Sequence, residues 1–200
     1  KTNRFPTEQL PDGSWKRENF GPDGSKSTLT EKTDGTKIST GPDGTSAITR
    51  QSPDPIWGMQ SAFTAASTNR TPSGLQMVTS STKTIDLADR NNPFSLRSVS
   101  NQFSLNGVVF KQKFDNINKV FTSESALGRK QYVYLDSLDR PVEIDVPGRN
   151  SIYSFYDHLG RTTNIVQGAG ADQREMSVRF NAVGYPETVT DSLGRSVAFE

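Results

Sequence analysis

Gly21-Pro22-Asp23-Gly24-Ser25 and Asp157-His158-Leu159-Gly160-Arg161 are two wordings of one turn, and the spacing of that turn decides the fold. In the first, proline presets φ at the second turn position, aspartate suits the third and glycine takes a left-handed fourth. A type I turn closed by such a residue is the hairpin connection with a one-residue bulge. Leu10-Pro11-Asp12-Gly13-Ser14, Lys32-Thr33-Asp34-Gly35-Thr36 and Gly41-Pro42-Asp43-Gly44-Thr45 repeat it, with glycines 11, 11 and 9 residues apart. The second wording opens on aspartate and closes on glycine, as in Asp191-Ser192-Leu193-Gly194-Arg195. In Asp136-Ser137-Leu138-Asp139-Arg140 an aspartate stands in the glycine's place, and Asp tolerates the left-handed conformation better than most residues. Leu127-Gly128-Arg129, Pro147-Gly148-Arg149 and Val183-Gly184-Tyr185 continue the series.

A turn about every ten or eleven residues leaves room for one strand per repeat. The intervals alternate in polarity, as half-buried strands do. Val142, Ile144 and Val146 alternate with Glu143 and Asp145, while Met176, Val178 and Phe180 alternate with Glu175, Ser177 and Arg179. Tyr153 and Phe155 share a face, as do Val108 and Phe110. A seven-residue strand is about 23 Å long. The fold expected is therefore all-β, tandem antiparallel hairpins in a meander.

The sequence divides by wording into Pro-Asp-Gly repeats over 1–52, a degenerate stretch over 53–120 and Leu-Gly-Arg repeats over 121–200, or forms one continuous array. In the degenerate stretch Thr71-Pro72-Ser73-Gly74 and Asn91-Asn92-Pro93 read as turns and Thr79 to Leu87 as a Thr-rich strand. Ser61 to Ser67 is compatible with a short helical turn. The strands between Gly13 and Gln51 carry few strong apolar residues: Trp15, Phe20, Leu29, Ile38 and Ile48. At ~25 cal/mol per Å² of apolar area, these do not offset the ~1–2 kcal/mol per residue of backbone ordering, so such strands need neighbours.

The apolar fraction of 32% is low, and the formal charge of +1 comes from scattered basic and acidic residues. Thin sheets with a wet face fit that composition. No basic patch for nucleic acid and no run of the ~20 apolar residues of a membrane helix is present. There is no cysteine, which excludes disulfides, thiol nucleophiles and thiolate metal sites. No signal peptide opens the chain, and Lys1 and Glu200 read as cuts through a longer protein, the latter following a strand-like Ser196-Val197-Ala198-Phe199.

Sites are scarce. His158 is the sole histidine and sits at a variable turn position, so no catalytic role is assigned. Asp86, Asp89, Asn91 and Asn92 match no calcium-loop spacing and read as a solvated turn. Gly168-Ala169-Gly170 lacks the third glycine and acidic partner of a dinucleotide loop and reads as a connection. No cofactor and no metal site is expected. Arg129, Arg140, Arg161 and Arg195 each begin a strand beside turn aspartates. Ion pairs that tie repeats together are one reading of them, a polar groove for a sugar or anion another. Tyr132, Tyr134 and Tyr153, with Phe155 and Tyr156, are either a sugar-stacking platform or cross-strand packing.

Phe155-Tyr156-Asp157-His158-Leu159-Gly160-Arg161-Thr162 resembles the Tyr-Asp, or Rhs, repeat, whose core reads Tyr-Asp, two residues, Gly-Arg. Tyr134-Leu135-Asp136-Ser137-Leu138-Asp139-Arg140-Pro141 and Val189-Thr190-Asp191-Ser192-Leu193-Gly194-Arg195-Ser196 are degenerate copies. Phe180-Asn181-Ala182-Val183-Gly184-Tyr185 is a weaker one. The repeat-motif residues implied are Tyr156, Asp157, Gly160, Arg161, Asp136, Arg140, Asp191, Gly194 and Arg195. The resemblance implies a large sheet spiralling into a β-shell, in secreted or surface-exposed bacterial proteins. Its partners would be other repeats of the same parent chain and an encapsulated C-terminal toxin segment, or alternatively a cell-surface glycan. The family's self-cleaving box has only a faint echo in Asp54-Pro55-Ile56-Trp57-Gly58-Met59, and cleavage is not carried over to it.

Overall fold

The structure is a computed structural model that describes residues 2–199, and the terminal Lys1 and Glu200 lie outside it. Seventeen strands run in chain order among the described residues. The first nine are β1 (Thr7–Gln9), β2 (Trp15–Phe20), β3 (Lys26–Glu31), β4 (Lys37–Thr40), β5 (Ser46–Asp54), β6 (Gly58–Arg70), β7 (Gln76–Leu87), β8 (Leu96–Leu105) and β9 (Val108–Asp115). They are followed by β10 (Val120–Glu124), β11 (Lys130–Leu135), β12 (Pro141–Asp145), β13 (Ile152–Tyr156), β14 (Thr162–Gln167), β15 (Arg174–Phe180), β16 (Pro186–Asp191) and β17 (Ser196–Ala198). The only helical turn among the described residues is a 3-10 turn, Gly170–Asp172, in the connection that the glycine pair opens. The chain divides into two units, Lys1–Lys111 and Gln112–Glu200.

In the first unit each strand from β1 to β8 pairs antiparallel with the next. In the second, β10 to β17 do the same. The meander expected from turn spacing is what the chain forms. Ser61 to Ser67 is a correction: it lies inside the thirteen-residue strand β6. Its register with β5 and β7 sets the conformation there, since cross-strand pairing overrides the weak helical leaning of a short Ser/Ala run. Thr71 to Gly74 and Asn91 to Pro93 are turns, and the Thr-rich strand from Thr79 is the body of β7.

The two wordings build one backbone. Gly13 N–H donates to Leu10 C=O at 2.9 Å while Leu10 N–H donates to Ser14 C=O at 2.7 Å. The same pair of bonds closes the turns that start at Gly21, Lys32, Gly41, Thr71, Ser125, Asp136, Asp157, Asn181 and Asp191. Asp139, in the glycine's place, has φ of 60°. Pro147-Gly148-Arg149 departs from the frame. There the glycine, φ 83°, is the third residue of a tighter turn closed by Arg149 N–H to Val146 C=O. Proline second and left-handed glycine third is the type II arrangement.

The aspartates satisfy the turns differently. In Pro-Asp-Gly turns the third-position carboxylate accepts the N–H two residues on, as Asp23 does from Ser25 N–H at 3.0 Å and Ser25 Oγ at 2.6 Å. Asp12, Asp34 and Asp43 make the same backbone bond. These local bonds hold the aspartates below the usual carboxylate range, for Asp23 through the Ser25 hydroxyl first and its N–H second.

The sheet is thin. Among the described residues no apolar side chain is fully buried, and the buried ones are Ser14, Thr36 and Asp54. In the second unit, registers carry one apolar face across the strands, through Phe121, Val133, Ile144 and Ile152. The opposite face carries Tyr134, Glu143, Tyr153, Val166 and Glu175 in one row. Hydrogen-bond ladders, turn caps and half-buried cross-strand pairs hold such a layer, rather than a sandwiched core.

Candidate functional site

The most elaborate side-chain arrangement in the second unit is built on the Asp-x-Leu-Gly-Arg turns. Asp136 Oδ1 accepts Leu138 N–H at 2.8 Å and Arg140 N–H at 3.0 Å, while its Oδ2 accepts Arg140 Nε at 2.8 Å and Nη2 at 2.7 Å. Asp157 repeats this with Leu159 and Arg161, with Nε at 2.7 Å and Nη2 at 2.6 Å. Asp191 repeats it with Leu193 and Arg195, both guanidinium contacts at 2.6 Å. One carboxylate oxygen caps the turn and the other fixes the guanidinium. A flexible arginine is thereby held as a rigid plane, and its charge is neutralised.

Two of the planes, those of Arg140 and Arg161, face an aromatic ring. Extending the β12–β13 register of Glu143 with Tyr153 places Tyr156 directly opposite Arg140. The Arg140 guanidinium carbon lies 4.5 Å from the Tyr156 ring centroid. The register of Asn164 with Ser177 places Phe180 opposite Arg161, whose guanidinium carbon is 4.4 Å from that ring. These are cation–π contacts from the start of one strand to the end of the next. Tyr156 adds a hydrogen bond from its hydroxyl to Pro141 C=O at 2.7 Å. Lys119 extends the linkage, its Nζ reaching Asp139 Oδ1 in the neighbouring turn at 2.8 Å. The first unit has a simpler relative: Arg4 bridges to Phe20 and lies 4.9 Å from its ring.

The departures are informative. Asn181 accepts Val183 N–H at 3.1 Å and Tyr185 N–H at 3.0 Å, so an amide oxygen performs the turn cap where Tyr185 replaces the arginine. With no cation to fix, a neutral acceptor is enough. Ser125 accepts Arg129 N–H in the same way, and no fork forms there.

Charges follow the geometry. Asp136 is held below the ordinary aspartate range by the N–H of Arg140 first and its side chain second. At Asp157 partial burial pulls upward, and the N–H and guanidinium of Arg161 outweigh it. At Asp191 the Arg195 side chain is the main cause of the downward shift.

Tyr132, Tyr134 and Tyr153 come together on the second face. Tyr132 is opposite Asp145, and Glu143 sits between Tyr134 and Tyr153. Tyr132 and Tyr134 are half-buried, Tyr153 exposed. His158 is an exposed second turn residue. Asp89 and Asn92 cap their own turns through Asn91 N–H and Phe94 N–H, as a solvated turn requires. Asp54 of the Asp54-Pro55 pair is buried and accepts Ile56 N–H at 2.8 Å, Trp57 N–H at 3.1 Å and the Lys83 ammonium. It is a structural cap of the β5–β6 turn. An open groove of about 660 Å³ in the first unit is lined mainly by neutral residues, among them Asn19, Leu29, Ala47, Asn69 and Met77.

Among the described residues no group of three or more His, Cys, Asp or Glu side chains could hold a metal ion, and no helix is long and apolar enough to cross a membrane. Sequence reading placed Asp136, Arg140, Asp157, Arg161, Asp191 and Arg195 beside one another but missed the rings as their partners. The available signal was the aromatic residue immediately before Asp157 and Asn181. Compared with protein-family models and with curated proteins, the chain matches none.

Proposed function

We propose that this chain is a non-enzymatic structural segment of a large secreted or surface-exposed bacterial protein of the Rhs, or Tyr-Asp repeat, type. Its work is to build part of a β-shell or scaffold that encloses or displays another segment, such as a toxin. The observation that carries this reading is the fork-and-ring linkage. Arg140 with Tyr156 and Arg161 with Phe180 join successive strands, and among the described residues no apolar side chain is fully buried. A sheet held that way extends by adding repeats and leaves both faces free, which suits a wall. The open reading frame containing this sequence tests it. Further Asp-x-Leu-Gly-Arg repeats beside residues 1–200, with a distinct segment attached, support the scaffold. A frame encoding these repeats alone overturns it.

A second reading, a carbohydrate-binding surface module, is favoured by the row in which Glu143 lies between Tyr134 and Tyr153. Aromatic rings beside carboxylates stack on and hydrogen-bond to sugar rings. Saturable binding on a glycan array, abolished by Tyr153→Ala, supports it; an array without a specific signal removes it.

A further inference from the structure

We propose that the β10–β11, β12–β13 and β14–β15 connections of the second unit form a groove for a linear acidic polysaccharide, with Arg149 at its centre. A meander turns over at alternate ends, so these three connections share one end of the sheet. At the opposite end the residues directly after β11, β13 and β15 are Asp136, Asp157 and Asn181, and the two aspartates neutralise Arg140 and Arg161. Directly after β10, β12 and β14 stand Ser125, Val146 and Gly168, which carry no charge. Arg129, Lys130, Arg149 and Arg174 gather at this end, all exposed, and among the described residues none of them is paired with a carboxylate. The following turn, with its own fork between Asp191 and Arg195, bounds the cationic stretch.

Arg129, Lys130 and Arg149 line one hollow of about 570 Å³, and Arg149 and Arg174 line a second of about 840 Å³. Arg149 belongs to both, so the two make one track. The carboxylates at this end are Glu124, Asp145, Asp172 and Glu175. Glu175 accepts from the Asn164 and Gln173 amides, and of the four only Asp172 lines either hollow. Four cations against one lining carboxylate leave the track positive. Asn150, Gln167 and Gln173 line the second hollow with amides, which both donate and accept, as sugar hydroxyls require. Successive connections are two strands apart, about 10 Å. A linear polysaccharide with one carboxylate per disaccharide presents its charges at comparable intervals, and each planar carboxylate can accept two parallel N–H bonds from a guanidinium. The cations are far apart in sequence and only the hairpin order assembles them, so no basic run announces the site. The groove depends neither on a shell nor on the row of Tyr134 and Tyr153.

A hyaluronate oligosaccharide, in which acidic and neutral sugars alternate, is the probe, titrated calorimetrically into the 200-residue chain. Saturable binding is expected at about 0.15 M salt, weakened at least tenfold at about 1 M. Arg149→Gln should weaken it about fivefold or more, and Arg129→Gln or Arg174→Gln about two- to threefold each. Circular dichroism should be unchanged in all three. Arg179→Gln removes an equal charge at the exposed pair with Glu187 and should leave the affinity as it was. On the ligand side, reducing the carboxylates to alcohols keeps the sugar chain, needs no variant of the protein and should abolish binding. Absence of saturable binding, undiminished binding of the reduced oligosaccharide, or equal weakening by Arg149→Gln and Arg179→Gln overturns the inference. Polyglutamate of the same charge binding as tightly overturns it as well, because the track would then read charge without the sugar.

Discussion

Removing the ring beneath a fixed guanidinium should cost more than removing the same ring once the guanidinium is gone. At the first linkage, Arg140 lies 4.5 Å over Tyr156, whose hydroxyl donates to Pro141 C=O at 2.7 Å. Tyr156→Phe deletes the hydrogen bond and should lower stability by about 0.5–1 kcal/mol, as for a bond near the surface. Tyr156→Leu also removes the quadrupole facing the cation, which adds about 0.5–1 kcal/mol at a partly exposed site. Only that second part should vanish in the Arg140→Met background. A double-mutant cycle of Arg140→Met with Tyr156→Leu should therefore give a coupling of about 0.5–1 kcal/mol. The Arg161–Phe180 pair, at 4.4 Å and without a hydroxyl, should give a coupling of similar size. Arg129, which forms no fork, is the internal control, and Arg129→Met with Tyr156→Leu should be additive. Urea unfolding, followed by circular dichroism and tyrosine fluorescence with coincident transitions, supplies each value. Coupling below about 0.3 kcal/mol at both pairs would refute the claim that the rings are energetic partners of the forks rather than neighbours.

Acid should weaken the second unit in a defined window. Asp136, Asp157 and Asp191 have folded values below the ordinary 3.8, so their stabilisation is present above that pH and fades as pH falls toward the folded values. Melting temperatures flat from pH 5 to 7 and falling below pH 4 are expected on this basis, and a decline already complete at pH 5 contradicts the assignment. Gly24→Ala, at φ 89° with open space around it, should cost only the left-handed penalty of about 1–2 kcal/mol. Gly13→Ala, at φ 84°, should cost measurably more, because its Cβ would stand 3.1 Å from Thr33 Cγ2; equal losses would show that the neighbouring turn yields freely. Asp54→Asn should lower stability by about 1–2 kcal/mol by taking the charge from the Lys83 ammonium while keeping the turn cap. Restoration by Lys83→Gln in the same chain would confirm the pair, and no recovery would contradict it.

Most of the turn chemistry was legible. A proline, an aspartate and a glycine at fixed offsets each restrict the backbone locally, so the hairpin repeat follows from neighbours in sequence. Strand alternation likewise assigned Val142, Ile144 and Val146 to one face and Glu143 to the other, because side-chain period is a property of the extended chain itself. Ser61 to Ser67 escaped that reading: its small residues carry no period, and only pairing with β5 and β7 makes them a strand. The turn of Pro147-Gly148 escaped it too, since spacing alone does not tell a third-position glycine from a fourth.

By itself, then, the sequence determined a meander of hairpins and the residues that cap its turns, through interactions reaching no more than four residues along the chain. Tertiary structure alone decided what the arginines do. Arg140 and Tyr156 are sixteen residues apart and Arg161 and Phe180 nineteen, and register brings each pair face to face. Register is cooperative across whole strands, so no local motif encodes it. That is why the rings that face Arg140 and Arg161 could be named only once the strands were paired.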